Sequence, residues 1–575
     1  MSGIESVVVR MYRNLLGDCF LIRVREQGNT ERRILVDCGI LQGLGAAADG
    51  KRSSGKDRIR AVAQDIVATC SAGGGDKPDG CSAFVDLLVI THQHFDHVGG
   101  FIQAGDILFD QKLCFGELWM AWTEDPEDKD ARAINLRLDE RKTELVKLVM
   151  GMGGDSDAPL PASLREGAAP EDDGRTLEPL RDQLAAYAGF IGPLENKRLD
   201  LVGKPRLTMS KVFDEIKQKA KHVSYLSPGS VVQTPGATPL KVAVLGPPRD
   251  WALLSKDLPT AGARETYLAD REAPPESASS QGAQLKTRPP AEASLSHWFL
   301  PAADEVPAKM DAARADLVRS SPFAPRYWAE TTMDAVLAAD KPLPDQPDAP
   351  APWLYERYYA AAPVLQTGST AAGTDTGAPK RRHKPVDQSF RRIDDAWTET
   401  AASLALDLDS DTNNTSLVLA FLLPDSEGSF MLFAADAQVG NWLSWHDQPY
   451  AIDGASLTAT DILNRTRLYK VGHHGSHNAT LRGKGLELMT HPGLVAMCST
   501  VEDEAAGKKG WQMPNPNVKA EILTRCQGRL LRGDRLWDHD PDTADYRAGA
   551  ADFVDRIQYG PLVNGEPIYI ELQMI

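Results

Sequence analysis

The pattern of apolar and polar residues predicts that the N-terminal part of the chain is mainly β-structure. Residues 5–10, 19–25 and 33–37 are short, β-branched and partly alternating, as in strands joined by turns. Residues 84–91, FVDLLVIT, form a nearly continuous apolar run, which is typical of a strand buried on both faces. The run at 108–122 predicts a further strand unit.

The pattern then changes twice, which predicts two insertions between groups of strands. Residues 129–150 and 176–190 have helical spacing and are separated by a loop rich in Gly, Asp and Pro at 151–174. Strands return at 229–247. Residues 251–400 are rich in Ala, Pro and Asp, and we predict an irregular, partly disordered insertion there.

The last part of the chain returns to strands. The predicted elements are strands at 415–422, 429–436 and 467–472, a helix near 516–527, and terminal strands near 529–532 and 567–573. At roughly 150 residues per domain, a chain of 575 residues predicts about four domains or one elaborated domain.

Composition and charge exclude several classes of protein. The net charge is −17 at pH 7, which argues against a general nucleic-acid coat protein. No window reaches the roughly 18–20 apolar residues of a membrane span, and the N-terminus lacks the apolar region of a signal peptide. The seven cysteines are odd in number and irregularly spaced. We therefore expect reduced thiols in a cytoplasmic protein without a membrane span.

The segment THQHFDHVGG at 91–100 concentrates residues that bind metal ions. His92 and His94 lie two residues apart after the apolar strand, so their rings can share one ion. Asp96 and His97 follow on the next turn and can serve a second ion. Imidazole and carboxylate ligands suit Zn²⁺, with Mn²⁺ or iron as alternatives. The two following glycines are expected to let the chain turn tightly behind the site.

One segment cannot enclose two ions, so ligands from elsewhere in the chain are needed. FMLFAAD ends in Asp436, and LYKVGHHGSHN places His473 and His474 directly after a strand. Taken alone, Asp436 would equally suit a turn or a helix cap. Because successive residues usually point apart, only one of the two adjacent histidines is expected to bind the ion, and the sequence leaves open which one.

The HxHxDH pattern followed by Gly-Gly resembles the metallo-β-lactamase superfamily. Further pieces resemble one branch of it, the nuclease-like domain of the ComEC competence DNA-uptake proteins, and they occur in the same order. The pieces are GDCFLIRV (17–24), ILVDCG (34–39), THQHFDHVGG (91–100), VAVLGPP (242–248), NNTSLVLAF (413–421), LFAAD (432–436), KVGHHGSHNAT (470–480) and PNPNV…LLRGD (514–534).

This resemblance implies an α/β fold of four layers, an αββα metallo-β-lactamase sandwich with large insertions and with the metal ions at the edge between the sheets. The implied division is the N-terminal half of the fold at 1–122, a helical insertion at 123–228, return strands at 229–250, a Pro/Ala-rich insertion at 251–412 and the C-terminal half at 413–575.

The resemblance also implies roles for single residues. Those that match the superfamily's metal ligands are His92, His94, Asp96, His97, Asp436 and either His473 or His474. Asp436 matches the bridging aspartate, and Asp37 matches the structural aspartate near the metal loop. The implied cofactor is a pair of divalent ions, Zn²⁺ first and Mn²⁺ as the alternative.

Three features depart from the pattern of the resembling proteins. The membrane channel of full ComEC proteins is absent. The usual middle histidine has no counterpart; the histidines in or beside the insertions are His222, His297 and His383. Glu124 and Asp125 occupy the loop after the 117–122 strand instead, so we expect the shell of the first ion to be richer in oxygen or incomplete. Ala435 stands where Gly is more usual.

These assignments predict a metal-dependent hydrolase, specifically a phosphodiesterase or nuclease in which a hydroxide bridging two ions attacks phosphorus. Asp96 can orient the hydroxide while it binds metal. His474, Ser476 or His477 can contact a phosphate oxygen or protonate the leaving group. Lys470 can supply a positive charge near the site, or it can be a solvated strand residue.

The substrate is less constrained than the chemistry. The resemblance favours a phosphodiester, with nucleic acid as one form, and the basic run Lys380–Lys384 with Arg391 and Arg392 could follow its phosphates or be a solvated loop. One alternative is a hydrolase of small phosphoesters, such as a cyclic nucleotide or a phosphorylcholine-type ester. Others are a β-lactam or lactone hydrolase and a partner-binding protein with a structural metal site. The oligomeric state is not predicted.

Overall fold

The predicted strands are present in the computed structural model, which describes residues 3–28, 30–41, 44, 54–71, 80–110, 113–139, 209–257, 259, 265–267, 410–508 and 511–575. In chain order the strands are β1 Ile4–Tyr12, β2 Phe20–Glu26, β3 Thr30–Val36, β4 Ala83–Val89, β5 Leu113–Ala121, β6 Ala220–Leu226, β7 Val231–Gln233, β8 Lys241–Gly246, β9 Val418–Leu422, β10 Phe430–Phe433, β11 Tyr450–Ile452, β12 Ala455–Leu457, β13 Thr466–Lys470, β14 Val495–Cys498, β15 Leu530–Arg532, β16 Ile557–Tyr559, β17 Leu562–Val563, β18 Glu566–Pro567 and β19 Tyr569–Gln573.

Helices accompany both groups of strands. They are α1 Gly55–Ser71, α2 Phe95–Gln103, α3 Gly105–Leu108, α4 Met209–Lys219, α5 Trp251–Leu254, α6 Val439–Ser444, α7 Ala459–Asn464, α8 Pro516–Arg525 and α9 Ala551–Val554. Residues 129–139 and 410–414 are also helical. Short 3-10 or π turns lie at Trp122–Glu124, Trp445–Asp447, Gly472–Gly475, Leu486–Leu488, Asp503–Lys508 and Pro541–Gly549.

The strands form two large sheets. The first has the order β16-β19-β1-β2-β3-β4-β5-β6, and the second has the order β15-β14-β13-β10-β9-β8-β7. Within the first sheet β3, β4, β5 and β6 run parallel, and within the second β10, β13, β14 and β15 run parallel. Two small hairpins, β11-β12 and β17-β18, lie beside them.

Alternating side chains show how the sheets are stacked. In β10, Met431 and Phe433 belong to a core shared by both sheets, whereas Leu432 belongs to a core between the second sheet and helices that include α6, α7 and α8. On the first sheet, Leu88 packs in a third core with α1 and α2, while Leu87 faces the second sheet. The layer order is therefore helices, sheet, sheet, helices, which confirms the predicted αββα sandwich.

The structure adds detail within the predicted insertions. In the range 123–228 it places helix α4 and strand β6, and β6 pairs with β5 as the outer strand of the first sheet. The core therefore reaches into a range that we predicted to be helical. The predicted helices beyond residue 139, the loop at 151–174 and most of 251–412 lie outside the described residues.

The described residues all belong to one compact unit; the second unit, 159–175 with 300–400, lies outside them. Among the described helices, none is both long enough and apolar enough to cross a membrane.

The prediction that all seven cysteines are reduced thiols is wrong for two of them. Cys81 and Cys114 form a disulfide, with their Cα atoms 5.9 Å apart. The pairing follows from the sheet, because Phe84 on β4 is in register with Cys114 on β5. The other five cysteines are free and buried.

The prediction that Gly99 and Gly100 form a tight turn is also wrong. Both glycines lie inside helix α2. A Cβ on Gly100 would lie 2.5 Å from the carbonyl oxygen of Cys38, and a Cβ on Gly99 would lie 2.6 Å from the ring of Phe95. Gly100 therefore allows close packing of α2 against the segment after β3, and Gly99 leaves room for the ring of Phe95 in the same helix.

Candidate metal centre

The candidate site lies where several strands end together. β3 is followed by Asp37, β4 by the segment 91–97, β10 by Asp436 and β13 by the turn 472–475. β3 runs parallel to β4, and β10 runs parallel to β13. Because the carboxyl ends of parallel strands meet at one edge, each sheet delivers its polar residues to the same place.

The first histidine segment brings its side chains together through a simple backbone path. His94 has an extended backbone (φ −96°, ψ 152°) and precedes α2, so Asp96 and His97 lie in the first turn of that helix. Nε2 of His92 lies 3.2 Å from Nδ1 of His94. The two rings therefore present neighbouring nitrogens, as two ligands of one ion would. All four side chains are buried.

Residues of the second sheet complete the arrangement. Oδ2 of Asp436 lies 3.1 Å from Nε2 of His97, and Nε2 of His474 lies 3.0 Å from Oδ2 of Asp96. The donor atoms form two clusters, His92–His97–Asp436 and Asp96–Asp436–His474, in each of which all donors lie within 4.8 Å of one another. Asp436 belongs to both clusters, so its carboxylate lies between the two groups of possible ligands.

The backbone separates the two adjacent histidines. His473, His474 and Gly475 have φ values of 42°, 52° and 84°, a left-handed run that is costly for the two histidines. The His473 backbone N–H donates to Oδ1 of Asp436 over 3.2 Å, while its ring Nε2 stays 4.0 Å from Oδ2. His474 is therefore the member of the pair whose ring joins a His/Asp cluster.

A third group of acidic residues lies behind His97. Nδ1 of His97 is 2.8 Å from Oδ2 of Asp37, and Asp37 accepts hydrogen bonds from the backbone N–H and Oγ1 of Thr91 at 2.8 and 2.7 Å. Asp37 thus turns Nε2 of His97 towards Asp436. Asp18 and Asp37 form a cluster with His97, but an ammonium group already lies there, because Nζ of Lys470 pairs with Asp18.

Several polar residues around the site were not singled out from the sequence. Oγ of Ser416 lies 3.2 Å from Nδ1 of His92 and accepts a hydrogen bond from the backbone N–H of Asp436. The carbonyl oxygen of Ser499 lies 2.8 Å from Nδ1 of His474. Asp18 and Ser416 belong to segments that carry the family resemblance, so their presence there was the available signal. Ser499 follows β14, a strand that we did not predict.

The environment sets different protonation states within the site. Burial lowers the pKa of His92 well below its ordinary value and that of His94 to about 4, so both rings are neutral at pH 7. Burial opposes the charged form of His97 as well, but the carboxylates of Asp436 and Asp96 outweigh it and raise its pKa well above the ordinary value. Neutral imidazoles are ready to bind a metal ion, whereas His97 must first lose a proton.

The buried charges fit divalent cations. The carboxylates behind and within the clusters are those of Asp18, Asp37, Asp96 and Asp436, and among the described residues the ammonium group of Lys470 lies beside them. Oδ1 of Asp96 and Oδ2 of Asp436 are buried and make no hydrogen bond. In the metal-free protein the protonated ring of His97 offsets part of this negative charge, and a divalent cation at these clusters would replace that proton. Imidazole nitrogen with carboxylate oxygen is a donor set suited to Zn²⁺ or Mn²⁺.

The remaining predicted residues have other partners or an exposed position. Oε2 of Glu124 accepts a hydrogen bond from Gln93, Asp125 accepts one from the backbone N–H of Glu127, and His222 lies exposed on β6. Within the described part of the chain, Glu124, Asp125 and His222 belong to no His/Asp cluster.

The turn after the second histidine segment carries the other two candidates. Ser476 donates to Oδ1 of Asn478 over 2.9 Å and so helps to form the turn, and His477 is partly buried beside it. Outside the described residues lie His297, His383, Lys380–Lys384, Arg391 and Arg392.

Comparison with known proteins agrees with this geometry. The family model of the metallo-beta-lactamase superfamily matches residues 84–190, a range that begins on β4 and contains the whole first histidine segment. No curated protein and no solved structure matches the chain. The mixed α/β sandwich is of the metallo-β-lactamase type, and the family match together with the His/Asp clusters indicates a metal-dependent hydrolase.

Proposed function

We propose that the chain is a phosphodiesterase with two metal positions that share Asp436. The observation that supports this proposal is the membership of Asp436 in both His/Asp clusters. Two adjacent ions joined by a carboxylate suit displacement at phosphorus, because they can stabilise both the attacking and the leaving oxygen. In this proposal His92 and His97 serve one ion, with His94 beside His92, and Asp96 and His474 serve the other, while Asp436 serves both. The resemblance to the nuclease-like domain of ComEC proteins favours a phosphodiester substrate.

The chain's own residues fix the donors in place. When bound, divalent ions would supply an activated water and polarise a phosphoryl oxygen. Ser416 contacts Nδ1 of His92, Asp37 contacts Nδ1 of His97, and the carbonyl of Ser499 contacts Nδ1 of His474. In each case the contact leaves Nε2 as the nitrogen that faces the clusters. Such outer contacts fix the ring orientation and the tautomer of a metal-binding histidine.

Protonation of the leaving group requires a side chain that binds no metal. His474 does not suit this task, because one ring nitrogen contacts Asp96 and the other contacts Ser499. His477 lies three residues further along, is partly buried and is free of both clusters, so we propose it as the general acid. Burial lowers the pKa of His477, so its protonated fraction at pH 7 is small and its contribution is expected to be smaller than that of the ligands.

The decisive experiment is hydrolysis of bis(p-nitrophenyl) phosphate by the purified full chain, supplied with Zn²⁺ or Mn²⁺. We expect metal-dependent turnover that disappears in His474→Gln. The matched control is His539→Gln, because the side chain of His539 is 75% exposed and pairs with Asp538. Absence of turnover in a chain that holds metal would contradict the phosphodiesterase and favour a β-lactam or lactone substrate or a partner-binding role.

Polymer and small-molecule substrates can be separated by salt dependence. The net charge of −17 favours a compact phosphodiester over a polyanion. We therefore expect cyclic nucleotides or similar esters to be cleaved with little dependence on salt. Cleavage of an oligonucleotide that falls steeply between low and moderate salt would instead support the nuclease alternative, with a local basic surface as its binding site.

A further inference from the structure

Lys470 is a buried cation that the proposed chemistry leaves without a role. It is the last residue of β13 and is 1% exposed, which excludes the solvated position considered from the sequence. Its Nζ forms an ion pair with Asp18, donates to the carbonyl oxygen of Ala435 over 3.0 Å and lies 3.4 Å from Oδ1 of Asp436. A lysine is seldom buried without a specific set of partners, and these partners all adjoin the metal centre.

The two oxygens of Asp436 face in different directions. Oδ1 faces Nζ of Lys470 and the backbone N–H of His473. Oδ2 makes no hydrogen bond and faces Nε2 of His97 at 3.1 Å. The donors on Oδ1 therefore orient the carboxylate so that Oδ2 is presented to the His/Asp clusters.

Asp18 connects this arrangement to the other end of the site. Its Oδ1 accepts a hydrogen bond from Oγ of Ser499, and its backbone N–H donates to the carbonyl of Asp96 over 2.8 Å. The carbonyl of Ser499 in turn lies 2.8 Å from Nδ1 of His474. The Lys470–Asp18 pair thus contacts Asp436, the backbone of Asp96 and the Ser499 side chain. Ser499 in turn contacts His474.

We propose that Lys470 and Asp18 are positioning residues for the metal centre, and that their buried ion pair sets its affinity for metal without binding the ion. The proposal rests on the proposed metal site and deepens it. If the charge of Lys470 acted only by electrostatic repulsion, removal of this cation beside Asp436 should make a divalent ion bind more tightly. A positioning role predicts weaker binding, so the sign of the change separates the two explanations.

The test is the Zn²⁺ affinity of the full chain, measured by competition with a chromophoric chelator after metal removal. For Lys470→Met we expect the dissociation constant to rise about 10- to 100-fold, the range typical of lost outer contacts to metal ligands. The double variant Asp18→Asn with Lys470→Met keeps the net charge of the pair and should show the same loss. Lys470→Arg should recover part of the affinity.

The matched control is Arg467→Met, which removes a cation from the same strand. Arg467 is 24% exposed in its side chain and pairs with Asp425, away from the clusters. Its affinity for Zn²⁺ should equal that of the wild type. Thermal unfolding of each metal-free variant shows whether it is folded. If Lys470→Met does not fold, the double variant Asp18→Asn with Lys470→Met decides, because it leaves neither charge of the pair buried without its partner and should also weaken Zn²⁺ binding.

Unchanged or tighter Zn²⁺ binding in the folded Lys470→Met variant, or in its place in the double variant, would overturn the positioning role. This failure is distinct from failure of the proposed function. If the wild type hydrolyses phosphodiesters and Lys470→Met binds metal with wild-type affinity, only the positioning role is contradicted. If the wild type shows no turnover but its affinity for Zn²⁺ depends on Lys470, only the proposed phosphodiesterase activity is contradicted.

Discussion

The two histidine segments reach the same site by different backbone paths. In 91–97 an extended residue leads into a helix, so the spacing of the side chains determines which of them meet. In 472–475 the two histidines are adjacent, and a left-handed run of residues directs His474 to Asp96 and leaves the ring of His473 4.0 Å from Asp436. The spacing of residues therefore predicts which side chains meet where the backbone is regular. It does not predict this where the backbone is strained.

The largest expected effect separates the two adjacent histidines. His474→Gln should reduce turnover of the chromogenic phosphodiester below detection, a loss of more than about 100-fold, because even lost outer contacts cost up to that factor. His473→Gln should reduce turnover far less, since the ring Nε2 of His473 stays 4.0 Å from Oδ2 of Asp436 and joins neither His/Asp cluster. Steady-state kinetics with saturating metal measure both. Equal losses in the two variants would mean that the left-handed run does not select the ligand.

The next effect concerns the covalent support of the first segment. Residues 91–97 lie inside the loop closed by Cys81–Cys114, two residues that are 33 apart in sequence. Reduction of the disulfide should lower the free energy of unfolding by about 3–4 kcal/mol, because it frees a loop of this length in the unfolded chain. Urea unfolding with and without reductant measures the change.

The control for the disulfide is the double variant Cys81→Ser with Cys114→Ser, whose stability should not respond to reductant. Thiol titration of the unfolded chain gives an independent check. It should find the five free cysteines before reduction and seven after it. Seven thiols without reductant would show that the disulfide is absent from the purified protein.

A smaller effect is expected on the pH dependence of the metal-free protein. The folded-state pKa of His97 is raised above its unfolded value, since nearby carboxylates outweigh the effect of burial. The protonated ring therefore stabilises the fold fully below about pH 6.5, and this stabilisation is lost as pH rises through the folded pKa. Because His92 and His94 have lowered pKa values and gain stability up to about pH 6.5, the contribution of His97 is isolated as a difference between two proteins. After chelation, the difference in melting temperature between the wild type and His97→Gln should shrink as pH rises above about 6.5.

Metal binding should have the opposite pH dependence, because a protonated His97 has to lose its proton to the solvent before it can bind an ion. Calorimetric titration with Zn²⁺ in buffers of different ionisation enthalpy counts the protons released. Release of protons near neutral pH is expected. A titration without proton release would contradict the charged state assigned to His97.

The smallest effect tests the strained backbone itself. Ala435 has a left-handed φ of 47°, which costs an L-residue about 1–2 kcal/mol and which glycine adopts freely. Glycine also loses more entropy on folding, about 0.4–1 kcal/mol. Ala435→Gly should therefore stabilise the protein by up to about 1 kcal/mol in urea unfolding. Ala434→Gly, next to it in the core but without positive φ, should destabilise it.

Sequence patterns predicted the sandwich because its strands are apolar and regular. FVDLLVIT became β4, whose side chains alternate between two cores, and the TSLVLAFL and SFMLFAAD runs became β9 and β10. β14 was not predicted, although it has the same four-residue length as β10, which was predicted as part of a longer apolar run. The Cys81–Cys114 pairing was unpredictable because it depends on the register of β4 and β5.

The candidate site shows the same limit. The candidate ligands of the first segment follow from spacing, whereas the contacts of Asp18, Ser416, Lys470 and Ser499 join residues that are far apart in the chain. The sequence does not show which residue a polar side chain at a strand end will contact, because that depends on how the strands are assembled. Lys470 illustrates this, because the same residue would be a solvated lysine if its strand lay at the surface.

The metal content of the full chain tests the central claim most directly. Native mass spectrometry of the wild type after equilibration with Zn²⁺ or Mn²⁺ should show two ions per chain. Asp436→Asn should weaken both ions together, because Asp436 belongs to both clusters. A wild type that holds no ion, or an Asp436→Asn variant that retains two ions at wild-type affinity, would contradict the shared metal centre.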